Sequence, residues 1–176
     1  MAPGEVTMGR RSSEEQLRQL AALPPDVLVK QVRMTHVFQV IGTTVVLAAI
    51  SVYVFLVNGG EGILGKRPGP DPAVIIAVIA IVMAFAGWVL ARPWRAALLG
   101  TKPPTDRRDL ALRAQRGLLG LFVTEGGAIT AAVSFLLGGG MVLFAIAVLA
   151  LALVYFQRTD ADRAEDLVRH LEGGDA

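Results

Sequence analysis

The chain has 176 residues, 53% of them hydrophobic and 18% charged, with a formal net charge of +2 and a pI of about 9.4. Soluble domains average ~45–50% apolar and ~25% charged residues, so a water-soluble core does not account for this composition. Cysteine is absent, which excludes disulfides, thiolate metal sites and thiol catalysis.

Residues 1–36 are polar to mildly amphipathic and carry no pattern of a cleavable leader. Ser12 with Glu15 reads as a capping box. Leu17, Leu20, Ala21 and Leu23 give the helix it opens one apolar face, and Pro24-Pro25 ends it. An uncharged block, 37–57, follows as the first expected span. Residues 58–72 form a loop, and 73–91 the second span, again uncharged. Residues 92–116 are a basic loop. Thr105 is the expected cap of a helix that starts at Asp106 and carries into the third span, 117–137. Gly138-Gly139-Gly140 make a tight turn. The fourth span is 141–157, and 158–176 form an amphipathic tail with Ala164, Leu167, Val168 and Leu171 on one side. About 20 apolar residues at ~1.5 Å each cross a ~30 Å hydrocarbon core, and only a helix satisfies its own backbone there. The expected fold is an all-α, integral membrane four-helix bundle with short amphipathic helices outside it. Pro-Pro-Asp before span 1 and Pro-Pro-Thr-Asp before span 3 suggest two parallel helical-hairpin repeats.

Orientation follows from the basic residues. The first tail holds Arg10, Arg11, Arg18, Lys30 and Arg33. The 92–116 loop holds Arg92, Arg95, Lys102, Arg107, Arg108, Arg113 and Arg116, and the last tail holds Arg158, Arg163 and Arg169. Only Lys66 and Arg67 fall on the other side. Both ends are therefore expected in the cytoplasm. The richness in Ala, Val, Gly and Arg points to a bacterium, and so to its inner membrane. Trp88, Trp94, Tyr155 and Phe156 fall at the same ends of spans 2 and 4, as an interfacial belt would. Arg92, Arg95, Arg107 and Arg108 are placed for contact with anionic lipid. The basic loop lacks interleaved aromatics apart from Trp94, so nucleic acid is not required.

One acid, Glu125, stands inside an expected span. Charge there costs roughly 2.5–3.5 kcal/mol and normally faces the bundle interior or water. Counted from Gly117, Glu125 lies ~12 Å deep, near the midplane. On span 1, His36, Gln39 and Thr43 share one helical stripe. Counted from Val37, Thr43 and Thr44 fall close to the depth of Glu125. The expectation is a polar site of Glu125 with Gln39, Thr43 or Thr44, either a proton or cation site or a structural hydrogen bond between helices. Thr124 and Thr130 can instead bond back to their own helix. His36 reads as an interfacial residue rather than a ligand.

Ala73, Ala77, Ala80, Ala84, Gly87 and Ala91 recur at steps of four and three, a seam that admits close helix approach. Gly120, Thr124 and Ala128 make a shorter seam on span 3. Two histidines without cysteine do not make a metal site, and no nucleophile elbow or phosphate loop is present. No cofactor and no enzymatic activity are expected. The partners expected are membrane lipids and either a second copy or another membrane protein.

From Arg113 to Leu171 the chain resembles small four-span bacterial membrane proteins of uncharacterised function, on a basic entry, LFVTEGGAITAAVSFLLGG, a short turn and a polar tail. The same hairpin distantly resembles the rotary-ATPase c subunit. That likeness implies an ion-binding carboxylate at Glu125. The c-subunit loop is cytoplasmic, whereas this turn is expected outside.

Overall fold

The computed structural model describes residues 15, 19, 22–64 and 71–157. The helix expected from Ser12, the Lys66-Arg67 pair and the tail helix after Gln157 lie outside them. The described residues are all-helical. Helix α1 runs Pro25–Val52 and continues as a π-helical turn, Tyr53–Val57. α2 is Pro72–Leu90, α3 Arg92–Leu98, α4 Arg107–Gly138 and α5 Gly140–Phe156. α1, α2 and α4 are long and apolar enough to cross a membrane, which marks a membrane protein. α5 is equally apolar but has 17 residues. Phe38, Val45, Leu56, Val82, Val142 and Leu149 are among the large apolar side chains turned outward. Outside a bilayer such a surface would be a liability.

Several boundaries follow local chemistry. α1 begins at Pro25, whose fixed φ suits a first helical position. The helix therefore starts well ahead of the apolar block at Val37. Asp71 caps α2 by accepting from Ala73 N at 2.9 Å, with Pro72 at the first position. Asp106, not Thr105, caps α4. Its backbone is extended, and its carboxylate accepts from Asp109 N at 2.7 Å. Asp109 in turn accepts from Thr105 N, a capping box shifted by one residue. The short α3 within the basic loop was not foreseen. Pro93 near its start helps set it off from α2.

α4 is the centre of the bundle. α2, α1, α5 and α3 all pack on it, and α5 also touches α2 and α1. α1 and α2 share no substantial contact. They are not a packed hairpin, so the expected pair of matching hairpins does not form. The cause is the small-residue seam of α2, which mates with α4 instead of its neighbour in sequence. Gly87 meets Thr124, Gly120 meets Ala91, Gly127 meets Ala84 and Gly138 meets Ala73. A Cβ on Gly127 would come 2.5 Å from Ala84 N. Ala73, Ala77, Ala80 and Ala84 are all fully buried. Ser134 donates to Ala73 O across the same interface at 2.8 Å. Gly127 lies in the seam, and Ala128 is buried in the core that includes the α2 alanines together with residues of α1 and α5.

The end of the bundle away from the basic loop is locked by backbone bonds. Ile63 N and Leu64 N donate to Leu136 O and Leu137 O, both at 3.0 Å, satisfying final carbonyls of α4. Gly140 N donates to Gly60 O at 3.1 Å. Gly139 and Gly140 both have positive φ, so this turn requires glycine. The π turn of α1 presents Phe55 to Phe135 and Phe144, and the three rings stand 5.3–5.4 Å apart pairwise.

Candidate functional site

The α1 stripe points inward. His36, Gln39 and Thr43 are 3%, 5% and 2% exposed. His36 Nε2 donates to Val154 O at 2.8 Å, a carbonyl in the last turn of α5. One turn later Gln157 donates to Thr124 Oγ1 at 2.6 Å, and Thr124 donates to Gly120 O at 2.8 Å. These bonds join α1, α5 and α4 at one level. Gln157 was missed by sequence reasoning. Its signal is that it is the first polar residue after the apolar run of α5.

The depth of Glu125 follows from the register of α4 with α2. Ala91, just past the end of α2, faces Gly120, and Gly117 faces Trp94 in α3. The part of α4 beside α2 thus begins near Gly120, and Glu125 lies about 7–8 Å inside it. The placement near the midplane is therefore corrected to a level nearer the basic end of α2. Relative to α1 no such shift is seen: Phe55 meets Phe135, and Thr43 and Glu125 stand twelve and ten residues before them.

Glu125 is half-buried, on the stripe of α4 that includes Leu121 and Ala132. No hydrogen bond joins it to Gln39, Thr43 or Thr44 among the described residues. Thr44 is turned outward and donates to Val40 O at 2.6 Å, and Thr130 likewise donates to Gly126 O. The structure gathers His36, Gln157 and Thr124, and leaves Gln39 and Thr43 deeper on the same α1 face.

Four buried polar atoms here have no partner among the described residues: Gln39 Nε2 and Oε1, Thr43 Oγ1 and Gln157 Oε1. Orphaned buried polar groups cost about 1–3 kcal/mol each, so a stripe of them is a functional candidate. Beyond Thr43 the stripe turns apolar, with Leu47 and Val54 buried beside Phe135. On the basic side of His36 the face is apolar as well, with Leu28, Val29 and Val32 buried beside Leu110 and Ala114, so the polar stripe is enclosed between two apolar clusters. Replacing Gln39 by Leu together with Thr43 by Val should raise stability by about 1 kcal/mol or more, since both orphans disappear. Reversible unfolding in mild detergent checks this. A clear loss of stability would mean that both groups are satisfied in the membrane.

The basic loop divides in two. Asp109 pairs with Arg113 at 2.7 Å, and Arg113 also donates to Lys102 O. The Arg113 hydrogen bond, and then that of Thr105 N, hold the Asp109 carboxyl below its usual range. This contribution is complete above the ordinary Asp value, about 3.9, and fades as pH falls through the lower folded value. Amide protection in the first turn of α4, relative to the intrinsic exchange rate at each pH, should therefore fall in acid, and Asp109→Asn should lower it at neutral pH as well. Arg95 lies over the Trp88 ring, 4.1 Å from its centroid, and donates to Trp88 O at 2.7 Å. Burial, then the charge of Arg92, hold Arg95 below the ordinary guanidinium value, yet it stays charged at any working pH. Arg107 and Arg108 are exposed at the start of α4.

No protein-family model, curated protein or solved structure matches the chain.

Proposed function

We propose that the chain is a four-span protein of the bacterial inner membrane, with both ends cytoplasmic, acting as a non-catalytic accessory or scaffold subunit. α5 would be the fourth span, extended by the glycine before it. The observation that supports this reading is the unbroken small-residue contact of α2 with α4. It builds a rigid pair and leaves outward faces of α1, α2 and α5 for lipid or a neighbouring membrane protein. The seam itself is consumed within the chain, so a partner or second copy would meet those outer faces. Glu125→Gln tests the reading. A neutral isostere should leave copurifying partners and oligomeric state in mild detergent unchanged. Loss of the assembly would overturn it.

A second reading, a proton- or cation-handling protein, is favoured by the orphaned buried atoms of Gln39, Thr43 and Gln157 inside the same bundle as Glu125. Its distinguishing result is in proteoliposomes. Proton- or cation-dependent flux should be present in the parent and absent from both Glu125→Gln and Gln39→Leu, with the fold intact in each.

A further inference from the structure

The outer face of α2 and α3 carries a stripe that neither reading uses: Ile81, Phe85, Trp88, Arg92 and Arg95, at alternating steps of four and three. Its lower half opens on a groove of about 370 Å³ between α2 and α5. The walls are wholly apolar and include Ile81, Phe85, Ile146, Leu149, Leu153 and Phe156. Its upper half is cationic. Phe85 stacks on Trp88 at 6.0 Å, and Arg95 stacks on Trp88 in turn. Arg92 is exposed one turn before Arg95, and no carboxylate pairs with either guanidinium among the described residues. Arg95 Nε is itself unpartnered.

Apolar groove, aromatic step and paired guanidiniums follow one another along a single face. We propose that this face is a binding site for one anionic glycerophospholipid, its acyl chain in the α2–α5 groove and its phosphate held by Arg92 and Arg95. Charge complementarity selects the occupant. Two adjacent cations without a carboxylate favour an anion, and guanidinium forks match phosphate oxygens. A free phosphate would use the arginines and leave the groove unused. A neutral lipid or an apolar protein helix would use the groove and leave the arginines unmatched. Only an anionic amphiphile uses both. Arg107 and Arg108, on a different helix, are not needed.

Native mass spectrometry of the detergent-purified chain, titrated with phosphatidylglycerol or phosphatidylcholine, tests the site. One phosphatidylglycerol should be retained at concentrations where phosphatidylcholine is not. Arg92→Gln should weaken its binding about tenfold, the scale of one charged hydrogen bond. Arg95→Gln should do at least as much, but it also removes the bond to Trp88 O, so Arg92→Gln is the cleaner variant. Ala152→Phe, which fills the groove without touching either arginine, should weaken binding as well. Glycerol 3-phosphate, which lacks acyl chains, should not compete. Equal retention of the two lipids, indifference to Arg92→Gln, indifference to Ala152→Phe in a folded protein, or displacement by glycerol 3-phosphate would each overturn the proposal.

Discussion

Gly120→Val should destabilise the bundle by at least about 3 kcal/mol, the upper part of the range for overpacking. A Cβ at Gly120 would stand 2.6 Å from both Ala91 N and Gly87 O, and 2.8 Å from Ala91 Cβ. Two of these neighbours are backbone, so no rotamer change relieves the contact. α2 and α4 would have to move apart along the whole seam. Gly87, Thr124, Gly127 and Ala84 would then lose their contacts together, because they share one register. In lipid this matters more than in water. Association there rests on close packing, since lipid tails are as apolar as the helices. Two glycines serve as controls. Gly42 has nothing within 4 Å of a Cβ, and Gly126 meets only the flexible Met83 Cε at 3.3 Å. Gly42→Ala should gain about 0.5–1 kcal/mol from backbone entropy, and Gly126→Ala should be close to neutral. Reversible unfolding in mixed detergent micelles separates the three. A Gly120→Val protein as stable as its parent would mean that α2 and α4 are not in this register.

The sequence makes the seam visible but not its mate. Alanine and glycine at steps of four and three on α2 can only be a close-packing face. Nothing in that pattern says whether α1, α4 or a second copy fills it. The answer came from Gly117, Gly120 and Gly127, which present bare backbone at matching steps. Read alone, the glycines after Glu125 look like access to a carboxylate. The inward face of α1 was legible too, because His36, Gln39 and Thr43 lie at i, i+3 and i+7. The depth of Glu125 was not. Hydropathy marks where an apolar block begins, and says nothing of how far one helix slides past another. Gly120 against Ala91 and Gly127 against Ala84 set the slide of α4 along α2, and no sequence signature pairs those residues. α3 escaped notice because seven residues inside a basic loop give no periodicity to read.

Phe135→Ala should be the most damaging change at the other end of the bundle. Phe135 is fully buried, in contact with Phe55 of the π turn and Phe144 of α5. In a soluble core, Phe→Ala costs about 3–5 kcal/mol, part transfer and part cavity. Here the unfolded helices keep their side chains in lipid or detergent, so much of the transfer contribution is lost. The cavity contribution remains, together with the ring contacts of about 0.5–1.5 kcal/mol per pair. A loss of about 2–3 kcal/mol is expected. Phe85→Ala, at a ring 58% exposed on the outer face, should change stability by no more than about 0.5 kcal/mol. The same substitution bears on the two functional readings. Phe135 sits where the polar face of α1 gives way to Leu47 and Val54, in the apolar cluster that closes the stripe at the end away from the basic loop. If Gln39 and Thr43 carry protons or cations, removing the ring should open a passive leak in proteoliposomes, measured with a pH-sensitive dye. If the chain is a scaffold, Phe135→Ala should loosen the bundle, and the vesicles should remain as tight as those holding the parent protein.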